Sequence, residues 1–128
     1  VANAVKAAVN YNIIHALQAI GESVAMTERL GVDPQLFTEL LSSTLFGGVV
    51  YTGYGKLIAT QTYTPAAFTA ELGRKDLDLA EQVAASRGVT LASLPILKHV
   101  FEVVLANPDL GPHVDWSAIA EVTRNDLL

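Results

Sequence analysis

The fold is decided by residues 1–30, which read VANAVKAAVNYNIIHALQAIGESVAMTERL. This stretch has no proline and a single glycine, Gly21, and its apolar residues recur every three or four positions, as in an amphipathic helix. The residues with this spacing are Val5, Val9, Ile13, Leu17, Ile20, Val24 and Ala25. Thirty helical residues span about 45 Å, whereas a compact domain of this length has a radius of gyration of roughly 14 Å. We therefore predict a first helix that reaches beyond its own domain.

The middle of this helix carries no full charge, since none lies between Lys6 and Glu22. The uncharged stretch is about fifteen residues long, short of the roughly 20 that a membrane span needs, and it lacks the pattern of a signal peptide. We expect the helix to be buried by its own domain, by a partner subunit, or by both. Only Asn3 is a candidate N-cap, so we also expect that an N-terminal part precedes this chain.

Five further helices are predicted downstream. Gly31 ends the first helix in the left-handed conformation, and Asp33 followed by Pro34 starts the second. The predicted helices cover residues 34–44, 49–60, 65–87, 94–106 and 116–124, with Ser93 and Asp115 as caps of the last two and with Leu36, Phe37, Leu40 and Leu41 on one apolar face of the second. Residues 46–51 are the most strand-like run, but glycines crowd it. The sequence thus predicts an all-α bundle of about six helices, forming one domain over residues 1–128.

The composition narrows the possible functions of the 128 residues. Half of them, 51%, are hydrophobic and only 16% are charged, which argues against disorder. The net charge of −5 disfavours nucleic-acid binding, which needs basic residues to neutralise phosphates. The absence of cysteine removes disulfides, cysteine-ligated zinc and thiol catalysis, and no His–carboxylate group has metal-ligand spacing. The surplus of apolar residues suggests a large partner interface.

Lys6 and Asn10 are the first candidates for chemistry. Lys6 is the only cation in the first 28 residues and lies among Ala and Val; burial there would lower its pKa and suit it to proton transfer. The alternative is a lysine whose ammonium reaches into water. Asn10 lies on the same helix face, where the two side chains can hold a small oxygen-rich ligand, or where the amide can be satisfied within a helix interface. His15 is off this face, as a packed and hydrogen-bonded residue.

A second cluster occupies residues 68–80, FTAELGRKDLDLA. Lys75 can reach an anionic ligand, while Asp76 can position Lys75 or a substrate hydroxyl. The alternative is a solvated charged turn in which Glu71 and Lys75 pair at i, i+4. Gly73 marks either a break in this helix or a close approach of another element.

Together these residues resemble the C-terminal domain of the β-hydroxyacid dehydrogenases, a family that includes 3-hydroxyisobutyrate dehydrogenase and tartronate semialdehyde reductase. Residues 6–10 (KAAVN) match the family's K-x-x-x-N, and residues 22–33 (ESVAMTERLGVD) match its glutamate-containing helix with a Gly-hydrophobic-Asp turn. Residues 68–80 resemble F-x-x-x-L-x-x-K-D-L-x-L-A, and residues 115–118 (DWSA) resemble D-x-S-A. Ala2 departs from the family by standing where a glycine is expected.

The resemblance implies a fold like the C-terminal domain of 6-phosphogluconate dehydrogenase, whose long first helix connects it to an N-terminal Rossmann domain that is absent from this chain. It implies an NAD- or NADP-dependent oxidoreductase that interconverts a small β-hydroxyacid and its semialdehyde or oxoacid. Lys6 would be the catalytic acid and base, and Asn10 would orient the substrate. Phe68 and Asp76 would line the substrate site, and Lys75 would contact the cofactor near the nicotinamide.

The family also implies a homodimer or higher homo-oligomer in the cytoplasm, with no nucleic-acid or membrane partner and no metal. Two alternatives stay open. Imine reductases share the fold but usually carry Asp or Tyr in place of the lysine, so Lys6 favours a hydroxyacid or aldehyde-acid substrate. A non-catalytic dimerisation or structural module, as in nucleosome-associated relatives of the family, is the other alternative.

Overall fold

The computed structural model describes all 128 residues as a helical bundle without an extended strand. The helices are α1 (Ala2–Arg29), α2 (Pro34–Ser43), α3 (Val49–Thr60), α4 (Ala70–Ala85), α5 (Leu94–Ala106) and α6 (Ala120–Arg124), and a 3-10 turn, Trp116–Ile119, leads directly into α6. The predicted all-α class with six helices is confirmed. Residues 46–51 form no strand: 46–48 lie in the connection between α2 and α3, and 49–51 form the first turn of α3. None of the helices combines the length and the apolar character that crossing a membrane requires.

Helix α1 has 28 residues, about 42 Å of helix, and its two halves have different surroundings. Leu17 and Val24, in the C-terminal half, are completely buried. In the N-terminal half, Val5 and Val9 keep 57% and 52% of their surface exposed. The C-terminal half therefore forms the centre of the core, while the N-terminal half is covered on one side only.

Gly21 allows α1 to pack closely against the last helix. A Cβ atom at this position would lie 2.7 Å from the Ala120 Cα, which is backbone and cannot turn aside. The glycine is therefore required for the distance at which α1 and α6 pack, despite the lower helix propensity of glycine relative to alanine.

Helix α4 begins later than its sequence suggests. The proline at residue 65 predicts a helix start there, but α4 begins at Ala70. Its N-cap is Thr69, whose hydroxyl accepts a hydrogen bond from the Leu72 N–H at 3.2 Å. The predicted boundary is thus wrong by about five residues, and Phe68 lies before the helix rather than in it.

The delayed start of α4 has a cause in the backbone pairing around Asp115. The Asp115 N–H donates to the Tyr63 carbonyl and the Trp116 N–H to the Phe68 carbonyl, each at 2.8 Å. Peptide groups that bond to this distant segment are not free to form a first helical turn. The Asp115 carboxylate also accepts from the Ser117 N–H at 2.9 Å, which confirms its predicted role as a cap.

Two other sequence expectations need correction. Ser93 precedes α5 as predicted, but its side chain makes no capping hydrogen bond, because the hydroxyl bonds to His15 instead. On the apolar face predicted for α2, Phe37 and Leu41 pack against the core, whereas Leu36 and Leu40 are 62% and 60% exposed. Thr38 is the buried residue of α2 and lies against Gly55 of α3.

Gly73 marks a close approach of α5 to α4 and not a break in α4. A Cβ atom there would lie 2.6 Å from Phe101 Cε1, on the neighbouring α5. The ring of Phe101 is completely buried, so this contact fixes the distance and rotation of α4. That rotation decides which α4 residues face α1.

A buried polar network closes the other end of the bundle. Arg124 donates to both carboxylate oxygens of Glu28 on α1, to the Ile58 carbonyl on α3, and to Glu121. The Tyr63 hydroxyl donates to the same Glu121 carboxylate, and burial together with this carboxylate raises the pKa of Tyr63 above its usual range. Arg124 thereby connects α6 to α1 and α3.

Candidate functional site

A cavity of about 320 Å³ lies between α1 and α4, near the exposed end of α1. Its lining consists of Asn3, Lys6, Ala7, Asn10, Asp76, Leu79 and Val83. Three of the five predicted site residues therefore meet here: Lys6 and Asn10 from the first motif and Asp76 from the second. Sixty-six positions separate Asn10 from Asp76, so it is the packing of α4 against α1 that brings the motifs together.

Asn10 and Asp76 are joined by a hydrogen bond across the two helices. Asn10 Nδ2 donates to Asp76 Oδ2 at 2.7 Å, and both side chains are half-buried. An ionised carboxylate only accepts, so this bond directs the amide nitrogen of Asn10 towards α4 and leaves its oxygen, Oδ1, for another donor. The amide is thus partly satisfied within the helix interface, and Asp76 positions Asn10 rather than Lys75.

Lys6 lies one helical turn before Asn10 on the wall of the same cavity. Its side chain is exposed and makes no hydrogen bond or ion pair within the chain. Of the two alternatives for Lys6, the structure therefore shows the one in which the ammonium reaches into water, because Ala7 is the only buried residue among the first ten. Apolar neighbours in sequence bury a lysine only where another element covers them.

Phe68 and Lys75 lie outside the cavity. The Phe68 ring packs on Trp116, with ring centroids 4.3 Å apart, and it belongs to the edge of the core. Lys75 is exposed and has no hydrogen bond or ion pair, so the alternative pairing with Glu71 does not form. Lys75 directly precedes Asp76, and one position along a helix turns its side chain by about 100°, away from the cavity.

The ion pairs of α4 are made by its other charged residues. Arg74 donates to Asp78 at 2.7 Å and to Glu102 at 3.1 Å. The hydrogen bond from Arg74 holds the pKa of Asp78 below its usual range. Lys75 is thereby left as a cation without a partner on the outer face of α4.

Part of the cavity wall is not predicted by the sequence motifs. Asn3, Ala7 and Asn10 follow one another at helical spacing, so they share a face of α1. This spacing is the signal for Asn3, which the sequence otherwise indicates only as a candidate N-cap. Leu79 and Val83 come from α4 and are apolar residues with no chemical signature. Only the rotation of α4 assigns them to the site.

Comparison with known proteins assigns this helical fold to a family of dehydrogenase domains. Residues 1–123 match the family described as NAD-binding of NADP-dependent 3-hydroxyisobutyrate dehydrogenase. The chain belongs to this family, so the resemblance found in the sequence is confirmed.

Individual relatives support the same assignment. The chain is 36% identical over 124 residues to the uncharacterized oxidoreductase YfjR of Bacillus subtilis (strain 168), covering 96% of this chain and 42% of that protein. The fold is similar to 3-hydroxyisobutyrate dehydrogenase from Salmonella typhimurium, with a TM-score of 0.81, 16% identity, and coverage of 92% of this chain and 40% of that one. For the Mycobacterium tuberculosis 3-hydroxyisobutyrate dehydrogenase with L-serine, the TM-score is 0.75 at 22% identity, with 94% and 43% covered. The chain thus spans less than half the length of these relatives.

Proposed function

We propose that this chain is the C-terminal helical domain of an NAD(P)-dependent oxidoreductase that interconverts a small β-hydroxyacid and its semialdehyde or oxoacid. The observation that carries the proposal is that Lys6, Asn10 and Asp76, which come from two separate motifs, line one cavity. Membership of the 3-hydroxyisobutyrate dehydrogenase family supports the reaction class.

Lys6 is the proposed general acid and base. Its ammonium has no partner in the chain and lies at the cavity, so it is free to bond to a substrate oxygen. In carbonyl reduction, Lys6 Nζ donates a proton to the oxygen on which negative charge develops. In alcohol oxidation, the neutral amine accepts the hydroxyl proton.

Asn10 and Asp76 are proposed to orient the substrate. Because Asp76 holds the amide nitrogen of Asn10 at 2.7 Å, the free Oδ1 is an acceptor of fixed direction for a substrate hydroxyl. The remaining lone pairs of Asp76 can accept a second hydroxyl. Preorganised partners of this kind contribute to rate by holding the reacting groups in one geometry.

A bound NAD or NADP supplies or accepts the hydride in this reaction class. The residues fit such a group, since Lys75 is an exposed cation without a partner, available to an electron-rich part of a nicotinamide cofactor. Phe68, at the edge of the core beside α4, is proposed to border the substrate site. We place the main cofactor site in an N-terminal Rossmann domain outside residues 1–128, which is supported by coverage of 42% of the Bacillus relative.

The remaining proposals concern assembly and location. Exposed apolar side chains on α1 and α2, with Val5 and Leu36 as examples, support burial against a second domain and a second subunit in a homodimer or higher homo-oligomer. Sedimentation of the complete protein as a stable monomer at micromolar concentration would contradict the proposed homo-oligomer. A cytoplasmic location is also proposed, because the family resemblance implies it.

The test is a substrate survey with the complete gene product and its Lys6→Ala variant. We expect NAD(P)-dependent turnover of 3-hydroxyisobutyrate or another small β-hydroxyacid, and a loss of about 10²–10⁴-fold in the variant. Lys56→Ala, which removes an exposed lysine on α3 outside this cavity, is the matched control and should retain full activity. Full activity of Lys6→Ala would refute the role of the lysine. Turnover of cyclic imines above that of any hydroxyacid would indicate an imine reductase, and no turnover of either class would indicate a non-catalytic module.

A further inference from the structure

Outside the cavity, α1 and the start of α5 form a cluster that contains a nucleophilic side chain. His15 Nε2 lies 2.7 Å from Ser93 Oγ, and His15 Nδ1 lies 2.7 Å from the Tyr11 carbonyl oxygen. The Tyr11 hydroxyl is 3.2 Å from the same Ser93 Oγ. The fold therefore brings a serine to a histidine and a phenol that lie 78 and 82 positions away in the sequence.

The partner of Nδ1 fixes the roles of the two ring nitrogens. A carbonyl oxygen only accepts hydrogen bonds, so Nδ1 carries the proton and donates it to the Tyr11 carbonyl. In the neutral imidazole Nε2 is then the acceptor, and the Ser93 hydroxyl donates to it. This is the relation between a serine nucleophile and its general base, with the base oriented by a third group.

Two backbone N–H groups at the start of α5 are free to donate hydrogen bonds. Ser93 immediately precedes α5, whose 13 residues begin at Leu94. The N–H groups of Ser93 and Ile96 have no partner within the chain, whereas the Leu94 N–H bonds to the Leu91 carbonyl. Free N–H groups at the start of a helix favour negative charge, which is the charge that develops when a serine attacks a carbonyl carbon.

An apolar cavity of about 320 Å³ adjoins this cluster. Tyr11 lines it, as does Leu91, which lies two residues before Ser93, and nine of its ten lining residues are hydrophobic. The exception is Arg87. A cavity of this kind accommodates a short aliphatic chain and not a second charged group.

We propose that Ser93 and His15 form a nucleophilic pair that accepts the acyl group of small aliphatic carboxylic esters. Ser93 Oγ forms a bond to the carbonyl carbon while its proton passes to His15 Nε2. The bond from this carbon to the leaving oxygen then breaks, and the leaving oxygen takes the proton from His15. The acyl chain occupies the apolar cavity.

Hydrolysis of the acyl group completes the cycle with the same two residues. A water oxygen bonds to the acyl carbon as one of its protons passes to His15 Nε2. The bond between the carbon and Ser93 Oγ breaks, and Oγ recovers the proton from His15. This activity needs no nicotinamide nucleotide, so its success or failure is independent of the proposed dehydrogenase function.

The experiment treats the complete protein with p-nitrophenyl butyrate in the absence of nucleotide and maps the adduct by peptide mass spectrometry. We expect a burst of p-nitrophenolate and one butyryl group on Ser93. Ser93→Ala should abolish the burst, and His15→Gln should slow it by about 10²–10⁴-fold. Ser86→Ala, which alters another exposed serine whose hydroxyl donates only to the Val83 carbonyl, is the matched control and should react like the wild type.

A second probe, an alkyl fluorophosphonate, keeps the wild-type protein decisive even if a variant fails to fold. Exclusive labelling of Ser93 supports the proposal. Labelling of Ser93 no faster than that of Ser86, or an unchanged burst in His15→Gln, overturns it.

Discussion

The two halves of α1 are built from similar residues but lie in different surroundings. Leu17 and Val24 are enclosed by the other helices, whereas Val5 and Val9 keep more than half of their surface exposed. The cavity with Lys6 and Asn10 lies in the exposed half. The two halves of this continuous helix thus differ: the C-terminal half forms part of the core, and the N-terminal half carries exposed side chains and one wall of the cavity. Substitutions in the two halves should therefore have different consequences.

The largest effect on folding is expected from truncating a buried side chain in the C-terminal half. Leu17→Ala should lower the free energy of unfolding by about 2–5 kcal/mol, because it removes apolar contacts and leaves a cavity. The matched variant Val9→Ala, in the exposed half, should change it by no more than about 0.5 kcal/mol. Urea denaturation of both variants measures the difference. Equal decreases in the free energy of unfolding would show that the two halves of α1 contribute equally to stability.

A smaller effect is expected where α1 meets α6. Gly21→Ala should destabilise the domain by about 1–3 kcal/mol, since its Cβ would lie 2.7 Å from the Ala120 backbone. Gly53→Ala is the control, because Gly53 lies in α3 with nothing near its Cβ position. This control should stabilise the domain by about 0.5–1 kcal/mol through helix propensity. A stabilising Gly21→Ala would mean that the helices are free to separate.

The exposed half of α1 should still be coupled to α4 at one point. A double-mutant cycle of Asn10→Ala and Asp76→Ala is expected to give an interaction energy of about 1 kcal/mol, typical of a partly exposed hydrogen bond. Asn12→Ala, paired with Asp76→Ala, provides the control cycle, because Asn12 bonds only to the Ala8 carbonyl. Additive energies in the first cycle would show that the cavity is not preformed.

The smallest effect is expected on the outer face of α4. The hydrogen bond from Arg74 lowers the pKa of Asp78 in the folded state, so Asp78 stabilises the fold at neutral pH. This stabilisation should persist above the ordinary aspartate pKa of about 3.9 and disappear as the pH falls through the lowered folded value. Because the pair is partly exposed, its size should stay below about 1 kcal/mol. Urea denaturation of the wild type and of Asp78→Asn at several acidic pH values measures this stabilisation. If the difference in the free energy of unfolding between the two proteins grew as the pH fell, the predicted pH dependence would be contradicted.

The elements that the sequence predicted well are those whose signals are local. Residues within a few positions determine each of these signals: the apolar periodicity of α1, the Asp33 cap of α2 and the Asp115 cap before α6. The start of α4 was missed because residues 63–69 bond to a segment nearly fifty positions away. No local pattern records such pairing.

In the candidate site, too, local signals could be predicted from the sequence and long-range contacts could not. Residue types and motif spacing identified Lys6, Asn10 and Asp76 separately. Their meeting depends on how α4 is rotated, and that rotation follows from the contact between Gly73 and Phe101. The exposure of Lys6 likewise depends on which element covers the first turns of α1. Burial is a property of the assembled structure, and sequence neighbours alone do not determine it.

The close contact between Gly21 and Ala120 can act as a pivot for the rigid helix α1. Fifteen residues of rigid helix separate Gly21 from Lys6, a distance of about 22 Å. A tilt of about 5° at this pivot would move Lys6 by about 2 Å relative to Asp76, and displacements of about 1 Å at a reacting group cost on the order of 10²-fold in rate. A change in the contact between Gly21 and Ala120 that tilts α1 would therefore move the proposed proton donor, although the contact lies far from the cavity. Such a change would alter the proposed reaction while leaving every residue that lines the cavity unchanged.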